Sequence, residues 1–366
     1  MDIIDLFKYL INSKSETPDD GGLLLFIEDY LPGFKAVRVD VEDVKNLFIY
    51  KKFGEGDHLC FAGHVDVVPA GNGWDTNPYE AVEKDGYIYG RGTQDMKSGV
   101  AAFTQAVQGA QNFQGTLSLL LTSDEEGDAI NGTVKVLEHL RAKDMLPDFC
   151  VVAEPTCEEN FGDAIKVGRR GSINGYVTIK GKQGHAAYPE KAINPIHQIA
   201  SVLGDMAGVD LDNGDEHFAP SKFVVTDIRA GMQVTNVTPN ELKMMFNVRN
   251  NTKTTQEEIK IFVDKYLGEF DYELKLTQGS YPFKTDTDTK IVKKIDQAIE
   301  TVTSIKPKHS TAGGTSDARF ISAFGVDVVE FGVKNDTIHS VNERTTKKEV
   351  EELYKVFKTL INIWDR

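Results

Sequence analysis

Short apolar runs recur through the first half of the chain, and stretches with helical spacing separate them. Residues 59–62, 117–121 and 150–153 are typical of buried strands, whereas residues 101–110 and 134–140 are typical of helices. Apolar strands that alternate with helices predict an α/β fold, with a mostly parallel sheet covered by helices on both faces. Ligands of such sheets usually bind beyond the carboxyl ends of the strands, so the residues that follow these runs are the candidate site.

The pattern changes from about Gly171. Strands are predicted at residues 176–179, 223–228 and 242–248, and helices at residues 195–203 and 257–267. This composition is typical of a compact ferredoxin-like α+β unit with two helices and four strands.

Helix and strand patterns alternate again after Pro282. They predict a helix at residues 291–302, a strand at 326–331 and a closing amphipathic helix at 348–363. We therefore predict one α/β domain formed by residues 1–170 and 283–366, interrupted by an inserted domain at residues 171–282. Such insertions are tolerated where chain ends lie close together at a surface.

Composition narrows the classes of partner. The 366 residues include 41 basic and 56 acidic side chains, a net charge of −15 that opposes binding to nucleic acid or anionic lipid. No apolar stretch approaches the roughly 18 residues of a membrane-spanning helix. Three cysteines are too few, and odd in number, for a disulfide framework, and residues 1–16 lack an export signal. We therefore expect a cytoplasmic protein with a small-molecule partner.

His64 and Asp66 follow the first apolar run. A spacing of two residues places both side chains on one side of an extended backbone. His64 is a candidate metal ligand beside a carboxylate that orients it, and the alternative is a salt bridge at the end of a strand.

Asp95 lies in a glycine-rich turn, residues 90–99, before a predicted helix. The spacing of lysine and hydroxyl does not match a phosphate-binding loop, and an acidic centre opposes phosphate. Asp95 either caps the helix or presents a carboxylate to a cation, which it could share between two ions.

Acidic residues follow the other two apolar runs. Asp124, Glu125 and Glu126 come directly after one run, and Glu154 follows the next. Neighbouring carboxylates repel each other, so they form either a solvated loop or a site where a cation offsets the repulsion. In the second case one carboxylate binds metal while its neighbour accepts a proton from water. Glu154 could alternatively cap a helix.

His339 follows the late strand predicted at residues 326–331. Alone it would be an ordinary structural histidine. Together with the earlier histidine and the carboxylates, all at predicted strand ends, it indicates a site for zinc, cobalt or manganese. A shared aspartate would allow two ions about 3.5–4 Å apart, as in dinuclear hydrolases.

The segments around these residues resemble a known family, the M20 family of dinuclear-zinc aminoacylases and carboxypeptidases. They are Gly63-His64-Val65-Asp66-Val67-Val68-Pro69, Gly90-Arg91-Gly92 with Asp95-Met96-Lys97, Thr122-Ser123-Asp124-Glu125-Glu126-Gly127 and Glu154-Pro155-Thr156. Residues 168–172, 184–189, 313–320 and 337–343 resemble the branch of the family that removes succinate from a succinylated diamino diacid.

The resemblance implies a ligand set for two zinc ions. His64 and Glu154 would bind one ion, His339 and Glu126 the other, and Asp95 would bridge the two. Cobalt is an alternative occupant for one of the positions.

The resemblance also implies three catalytic roles. Glu125 would be the general base, and Asp66 would orient His64. The inserted domain, residues 171–282, would be a lid and dimerisation domain. His185, supplied by the partner subunit of a homodimer formed through this domain, would donate to the oxyanion of the tetrahedral intermediate. Without the resemblance, His185 is an ordinary loop histidine.

A succinylated diamino diacid carries several carboxylates, which arginine can hold through paired hydrogen bonds. The candidate substrate-binding residues are Arg169, Ser172, Asn236, Arg249, Gly314, Thr315 and Asn335. Ala318 and Ser340 stand where the family often has glycine and lysine, which bears on the shape of the substrate pocket.

The leading hypothesis is therefore a metal-dependent amidohydrolase that releases succinate. A related deacylase or exopeptidase that acts on acetyl-ornithine, another acyl amino acid or a dipeptide would share the same ligands. A catalytically silent metal-binding protein is a third hypothesis, which the intact Glu125 and ligand set disfavour.

Overall fold

The computed structural model describes residues 1–366 and contains two compact units. The first unit comprises Met1–Gly168, Lys284–Ser310 and Ser316–Arg366, and the second comprises Arg169–Phe283 and Thr311–Thr315. The first unit is thus built from both ends of the chain. The role of residues 171–282 as a lid and dimerisation domain stays a prediction.

The chain forms ten α-helices and nineteen strands. The helices are α1 (Ile3–Asn12), α2 (Leu23–Tyr30), α3 (Lys97–Gln108), α4 (Thr133–Ala142), α5 (Pro195–Ala200), α6 (Leu203–Met206), α7 (Gln256–Leu267), α8 (Lys290–Thr303), α9 (Ala318–Ala323) and α10 (Lys347–Ile363). The strands are β1 (Lys35–Arg38), β2 (Asn46–Lys52), β3 (His58–His64), β4 (Val82–Lys84), β5 (Tyr87–Tyr89), β6 (Thr116–Thr122), β7 (Phe149–Val152), β8 (Ala164–Lys166), β9 (Gly168–Arg169), β10 (Ser172–Lys180), β11 (Gly184–His185), β12 (Phe223–Ala230), β13 (Val237–Thr238), β14 (Glu241–Val248), β15 (Tyr272–Ser280), β16 (Phe283–Lys284), β17 (Lys308–Ser310), β18 (Asp327–Glu330) and β19 (Arg344–Thr346).

The first unit is organised around an eight-stranded sheet with the order β1-β2-β6-β3-β7-β18-β8-β17. The central strands β6, β3, β7 and β18 run parallel to one another. Antiparallel pairing is found between β1 and β2, β2 and β6, and β18 and β8. The prediction of a mostly parallel α/β sheet is confirmed.

Both faces of this sheet are covered. Strands β3 and β6 bury six consecutive residues each, which a strand does only when neither face meets water. Helix α10 packs against α3 and α8, while α4 packs against α9 and the strands β2 and β6. The apolar runs seen in the sequence are therefore the buried centre of the sheet, and their polar ends lie at its edge.

The second unit contains a four-stranded antiparallel sheet with the order β12-β14-β10-β15. Side chains along β14 alternate between buried and exposed, as expected for a sheet with one covered face. Ile179, Phe223 and Phe246 form its core with Ile259 and Val263 of α7. This unit has its own hydrophobic core.

The helix predicted at residues 195–203 is wrong in extent, because it is divided into α5 and α6. The amide of Ser201 turns back to the carbonyl of Gln198, three residues earlier, and the Ser201 hydroxyl donates to the same oxygen at 2.7 Å. Val202 then has φ −125°, outside the helical region. The side-chain hydroxyl competes with the helix for the backbone, which hydrophobic spacing cannot reveal.

Two further observations concern environment. No helix combines the length with the apolar content that a membrane span requires. The three cysteines, Cys60, Cys150 and Cys157, are all buried and none forms a disulfide.

Candidate metal centre

Five candidate site residues lie where neighbouring parallel strands end. His64 is the last residue of β3 and Asp66 follows it, Glu125 and Glu126 follow β6, and Glu154 follows β7. Since β6, β3 and β7 are adjacent and parallel, their carboxyl ends meet at one edge of the sheet. The backbone topology thus brings together residues that are about 30 to 90 positions apart in sequence.

Asp95 lies between the two histidines. His64 Nε2 is 3.1 Å from Asp95 Oδ1 and 3.8 Å from Glu154 Oε1. His339 Nε2 is 3.3 Å from Asp95 Oδ2 and 3.0 Å from Glu126 Oε1. Each oxygen of Asp95 therefore faces a different imidazole, the arrangement that a bridging carboxylate requires.

The donor atoms are close enough to share cations. Those of His64, Asp95 and Glu126 lie within 4.8 Å of one another, as do those of His64, Glu125 and Glu154. Imidazole nitrogen and carboxylate oxygen are donors that zinc and similar transition metals accept. The residues present fit a metal centre.

Electrostatics support the same conclusion. Hydrogen bonds to Asp95 and Glu126 raise the pKa of His339 to about 10. Although burial opposes it, the hydrogen bond to Asp95 raises the pKa of His64 well above its ordinary value. Burial raises the pKa of Glu154 as well. The cluster concentrates negative charge that either bound protons or a cation must neutralise.

Asp66 acts on this site through its backbone and its carboxylate. The Asp66 carbonyl oxygen lies 2.9 Å from His64 Nδ1, and since a carbonyl only accepts, Nδ1 carries the proton and Nε2 is available to a cation. The carboxylate is 3.6 Å from the same nitrogen and accepts the backbone N–H of Glu126 at 3.2 Å. The role predicted for Asp66, that of orienting His64, stays a prediction.

The structure decides between the two interpretations of Asp95. Helix α3 starts at Lys97, Met96 is the residue that precedes it, and no side chain caps its first turn. Asp95 is therefore not a helix cap, and its carboxylate faces the histidines instead.

Sequence analysis missed Glu343, which is fully buried beneath the site. Its carboxylate accepts the backbone N–H of Asp95 at 3.2 Å and a side-chain N–H of Arg91 at 2.7 Å. The only signal of Glu343 in the sequence is its place in the segment 337–343. Without the resemblance of this segment to the M20 family, an acidic residue after a polar run indicates an exposed loop.

His185 and six of the seven candidate substrate-binding residues belong to the second unit. His185 is exposed, and its Nδ1 accepts the N–H of Ala187 at 3.1 Å. Arg169 is buried and donates to the Ala312 carbonyl, and the Ser172 hydroxyl accepts from Asn247. Asn236 and Arg249 are both exposed. Gly314 and Thr315 lie in the segment Thr311–Thr315. Asn335 belongs to the first unit, where its N–H donates to the Cys157 carbonyl. The roles of these residues stay predictions.

A mostly parallel sheet with imidazole and carboxylate groups at its carboxyl edge defines an α/β protein with a candidate dinuclear metal site. The chain belongs to peptidase family M20/M25/M40, whose profile matches residues 60–363. Succinyl-diaminopimelate desuccinylase of Sulfurimonas denitrificans is 73% identical to it over 364 residues, which is 100% of each chain. The desuccinylase of Nautilia profundicola is 64% identical over 365 residues, again 100% of each.

Solved structures share the fold. Aminopeptidase PepT from Bacillus cereus has a TM-score of 0.83 at 20% identity and covers 100% of this chain and 98% of its own. An M20 family metallo-carboxypeptidase from Sulfolobus solfataricus has a TM-score of 0.79 at 16% identity, covering 100% and 99%. At these identities the likeness establishes the architecture of the chain.

Proposed function

We propose that the chain is a metal-dependent amidohydrolase that removes succinate from N-succinyl-LL-2,6-diaminopimelate, giving LL-2,6-diaminopimelate and succinate in lysine and diaminopimelate biosynthesis. The observation that carries the proposal is the meeting of two histidines around Asp95, in a chain 73% identical over its whole length to a desuccinylase. Such a site would hydrolyse the amide bond between succinate and the diamino diacid.

Five residues would hold the metal. His64 and Glu154 would bind one zinc ion, His339 and Glu126 the other, and Asp95 both, with cobalt as an alternative occupant. When bound, the ions would supply Lewis acidity, which lowers the pKa of a water and polarises the amide carbonyl.

Glu125 would move the proton. It lies three residues after the end of β6, and its N–H approaches the Asp66 carboxylate at 3.5 Å, so its position depends on the sheet. Burial raises the pKa of Glu125 well above its ordinary value, while His64 opposes the shift, so the group is a stronger base than an exposed glutamate. Glu125 takes the proton from the attacking water and gives it to the leaving amine nitrogen.

We also propose roles for three residues of the second unit. His185 would donate to the oxyanion from the partner subunit of a homodimer, and Arg169 and Arg249 would hold substrate carboxylates. Mixing His185→Ala with Glu125→Ala tests the first role, because hybrid dimers should regain activity if His185 acts across subunits. Absence of rescue, with heterodimers shown to form, would refute it.

The compartment is also part of the proposal. Three cysteines that are all free and buried are usual in a reducing compartment, which supports the cytoplasm.

A substrate panel tests the function. Purified protein, stripped with a chelator and then given zinc, would be assayed with succinyl-diaminopimelate, acetyl-ornithine and a dipeptide. We expect hydrolysis of the succinyl substrate only with zinc, and strong rejection of analogues that lack the succinyl carboxylate. Equal rates on acetyl and succinyl substrates would favour a related deacylase, and no hydrolysis at all would favour a silent metal-binding protein.

A further inference from the structure

Two loops of the first unit carry Asp95 and His339. Residues 90–95 form the aspartate loop, and residues 336–343 form the histidine loop. His339 has φ 57° in the second of these. This left-handed conformation costs a non-glycine residue free energy, and it persists only where the surroundings hold it. Contacts with the surrounding residues must therefore hold the histidine loop in place.

One fully buried carboxylate, Glu343, accepts four hydrogen bonds. Its Oε1 accepts the backbone N–H groups of Gln94 at 2.8 Å and Asp95 at 3.2 Å. Its Oε2 accepts the N–H of Gly92 at 3.0 Å and Nη1 of Arg91 at 2.7 Å. Glu343, at the end of the histidine loop, thus fixes the backbone of the aspartate loop by accepting its N–H groups.

The loops are joined at a second point by the buried side chain of Gln94. Its Oε1 accepts the N–H and the hydroxyl of Thr337 at 2.8 and 2.9 Å, and its Nε2 donates to Asp336 at 2.5 Å. Arg91, paired with Glu343, also donates to the backbone carbonyl of His339 at 3.4 Å. The distance between the two loops is therefore set by this network.

The network is asymmetric with respect to the two metal positions. His64 ends a central strand and Glu154 follows another, so the parallel sheet itself holds them. His339, by contrast, lies in a loop that the sheet does not hold. Removing the network should therefore loosen the His339 position more than the His64 position, which shares Asp95 but whose other two ligands lie at or just after the ends of central strands.

We propose that Glu343 is a positioning residue that aligns Asp95 with His339 and thereby sets the affinity of the His339 position for its ion. The inference rests on the proposed metal centre. Glu343 does not touch the ion; it acts by fixing the backbone that carries two ligands. Groups that orient metal ligands in this way commonly change metal affinity about 10- to 100-fold.

The test is calorimetric titration of chelator-stripped protein with zinc. Glu343→Gln keeps the shape of the side chain but replaces one acceptor oxygen by an NH2 donor. The variant therefore loses the negative charge and the bonds from Gly92 and Arg91, and keeps at most the bonds from Gln94 and Asp95.

We expect two binding steps in the natural protein. In the variant, the step that His339→Ala removes should weaken about 10- to 100-fold. The step that His64→Ala removes should weaken by a factor at least about threefold smaller, because that position shares only Asp95 with the network.

Glu349 provides a matched control. It is also buried, and its carboxylate accepts the hydroxyl of Thr345 at 2.8 Å and the N–H of Thr346 at 3.3 Å, at the start of α10. Glu349→Gln should lower the melting temperature while leaving both zinc-binding steps within about threefold of their original values.

A second variant guards against loss of folding in Glu343→Gln. Gln94→Met keeps a side chain of similar length but removes the bonds to Thr337 and Asp336, and it should show the same selective weakening. At saturating zinc, the turnover of both variants should recover, because the network acts through occupancy.

Each other outcome overturns one specific claim. Equal weakening of both steps, no weakening in either variant, or the same selective loss in Glu349→Gln would overturn the role of Glu343. A natural protein that binds fewer than two zinc ions would overturn the metal centre of the proposed function, and the inference with it. Two normal steps without hydrolysis would reject the proposed reaction and leave the role of Glu343 intact.

Discussion

At the scale of single residues, the environment of each side chain decides what an identical chemical group can do. Glu125 and Glu126 are neighbours in sequence, yet the Glu126 carboxylate lies 3.0 Å from His339 while burial raises the pKa of Glu125. In the proposed function, Glu126 would bind a cation and Glu125 would accept a proton. Position relative to the sheet edge, rather than residue type, separates the two roles.

Replacing Glu125 by glutamine should remove the proton acceptor and preserve volume. We expect kcat to fall about 10²- to 10⁴-fold with zinc content unchanged, because general base catalysis contributes about that much. Steady-state kinetics and metal analysis measure the two quantities. Asp128→Asn, an exposed acid in the same loop, should stay near the original rate. Turnover of Glu125→Gln within tenfold of the original would exclude the assigned role.

His58 lies away from the candidate metal centre, at the opposite end of β3 from His64. Its Nε2 lies 2.8 Å from the hydroxyl of Ser118. Burial lowers the pKa of His58 to about 4, although Asp148 opposes the shift. The imidazole is therefore held neutral in the folded protein over a range where an exposed histidine is charged.

This lowered pKa predicts a pH dependence of stability. Between pH 6.5 and 4 the unfolded chain binds a proton at His58 that the folded chain does not, so the free energy of unfolding falls as pH falls through that window. The loss is at most about 3 kcal/mol. Urea unfolding at several pH values should show a shallower fall for His58→Gln, and an unchanged fall for the exposed His197→Gln. Identical slopes in all three proteins would contradict the assignment.

At the scale of elements, one helix joins the core to the site. Helix α3 starts two residues after Asp95, and its Gly99 lies directly against Ala153, which precedes Glu154. A Cβ on Gly99 would approach the carbonyl oxygen and the Cβ of Ala153 more closely than van der Waals contact allows. The glycine therefore permits a close approach between the helix and the segment that follows β7, and this approach positions the segments of two proposed ligands, Asp95 and Glu154.

Gly99→Ala should be destabilising by about 1–3 kcal/mol, because the core would have to move to accept the methyl group. Gly109 supplies a control at the other end of the same helix, where an added Cβ would meet Gln105 O at 3.6 Å, an ordinary contact. Gly109→Ala should be neutral or slightly stabilising. Urea unfolding measures both, and equal effects would show that the packing at Ala153 is not limiting.

At the scale of the whole molecule, all the proposed metal ligands belong to the first unit, although they extend from His64 to His339. The second unit has a separate core. Ion binding should therefore stabilise the unit built from both ends of the chain. It ties the late segment, which carries His339, to the early strands.

Removal of metal should accordingly act on one unit. Zinc at 100 times its dissociation constant would stabilise the folded first unit by about 2.7 kcal/mol per site. Hydrogen exchange at β3, β6 and β7 should be faster in the presence of chelator than in its absence. Exchange at β10 and β14 should be the same under both conditions. Uniform acceleration across both sheets would contradict this localisation.

Much of the architecture was accessible from the sequence because strands and helices leave local periodic patterns. Residues 59–62 and 117–121 lie in strands as predicted, and the strand predicted at 150–153 is found one residue earlier, at Phe149–Val152. Polar residues follow each of these runs in the sequence, so the candidate site at the strand ends could be predicted from local patterns. The division of residues 195–203 was not accessible, since it depends on a hydroxyl that caps a carbonyl.

Local patterns were enough to identify the side chains that follow the strands, the acidic charge of the chain and the change of pattern near Gly171. These features depend on neighbours along the chain. Tertiary packing, by contrast, brings His339 to 3.0 Å from Glu126 and places the Glu343 carboxylate against the backbone N–H of Asp95. Those contacts join segments more than 200 residues apart. They depend on how the whole sheet packs, which no local pattern records.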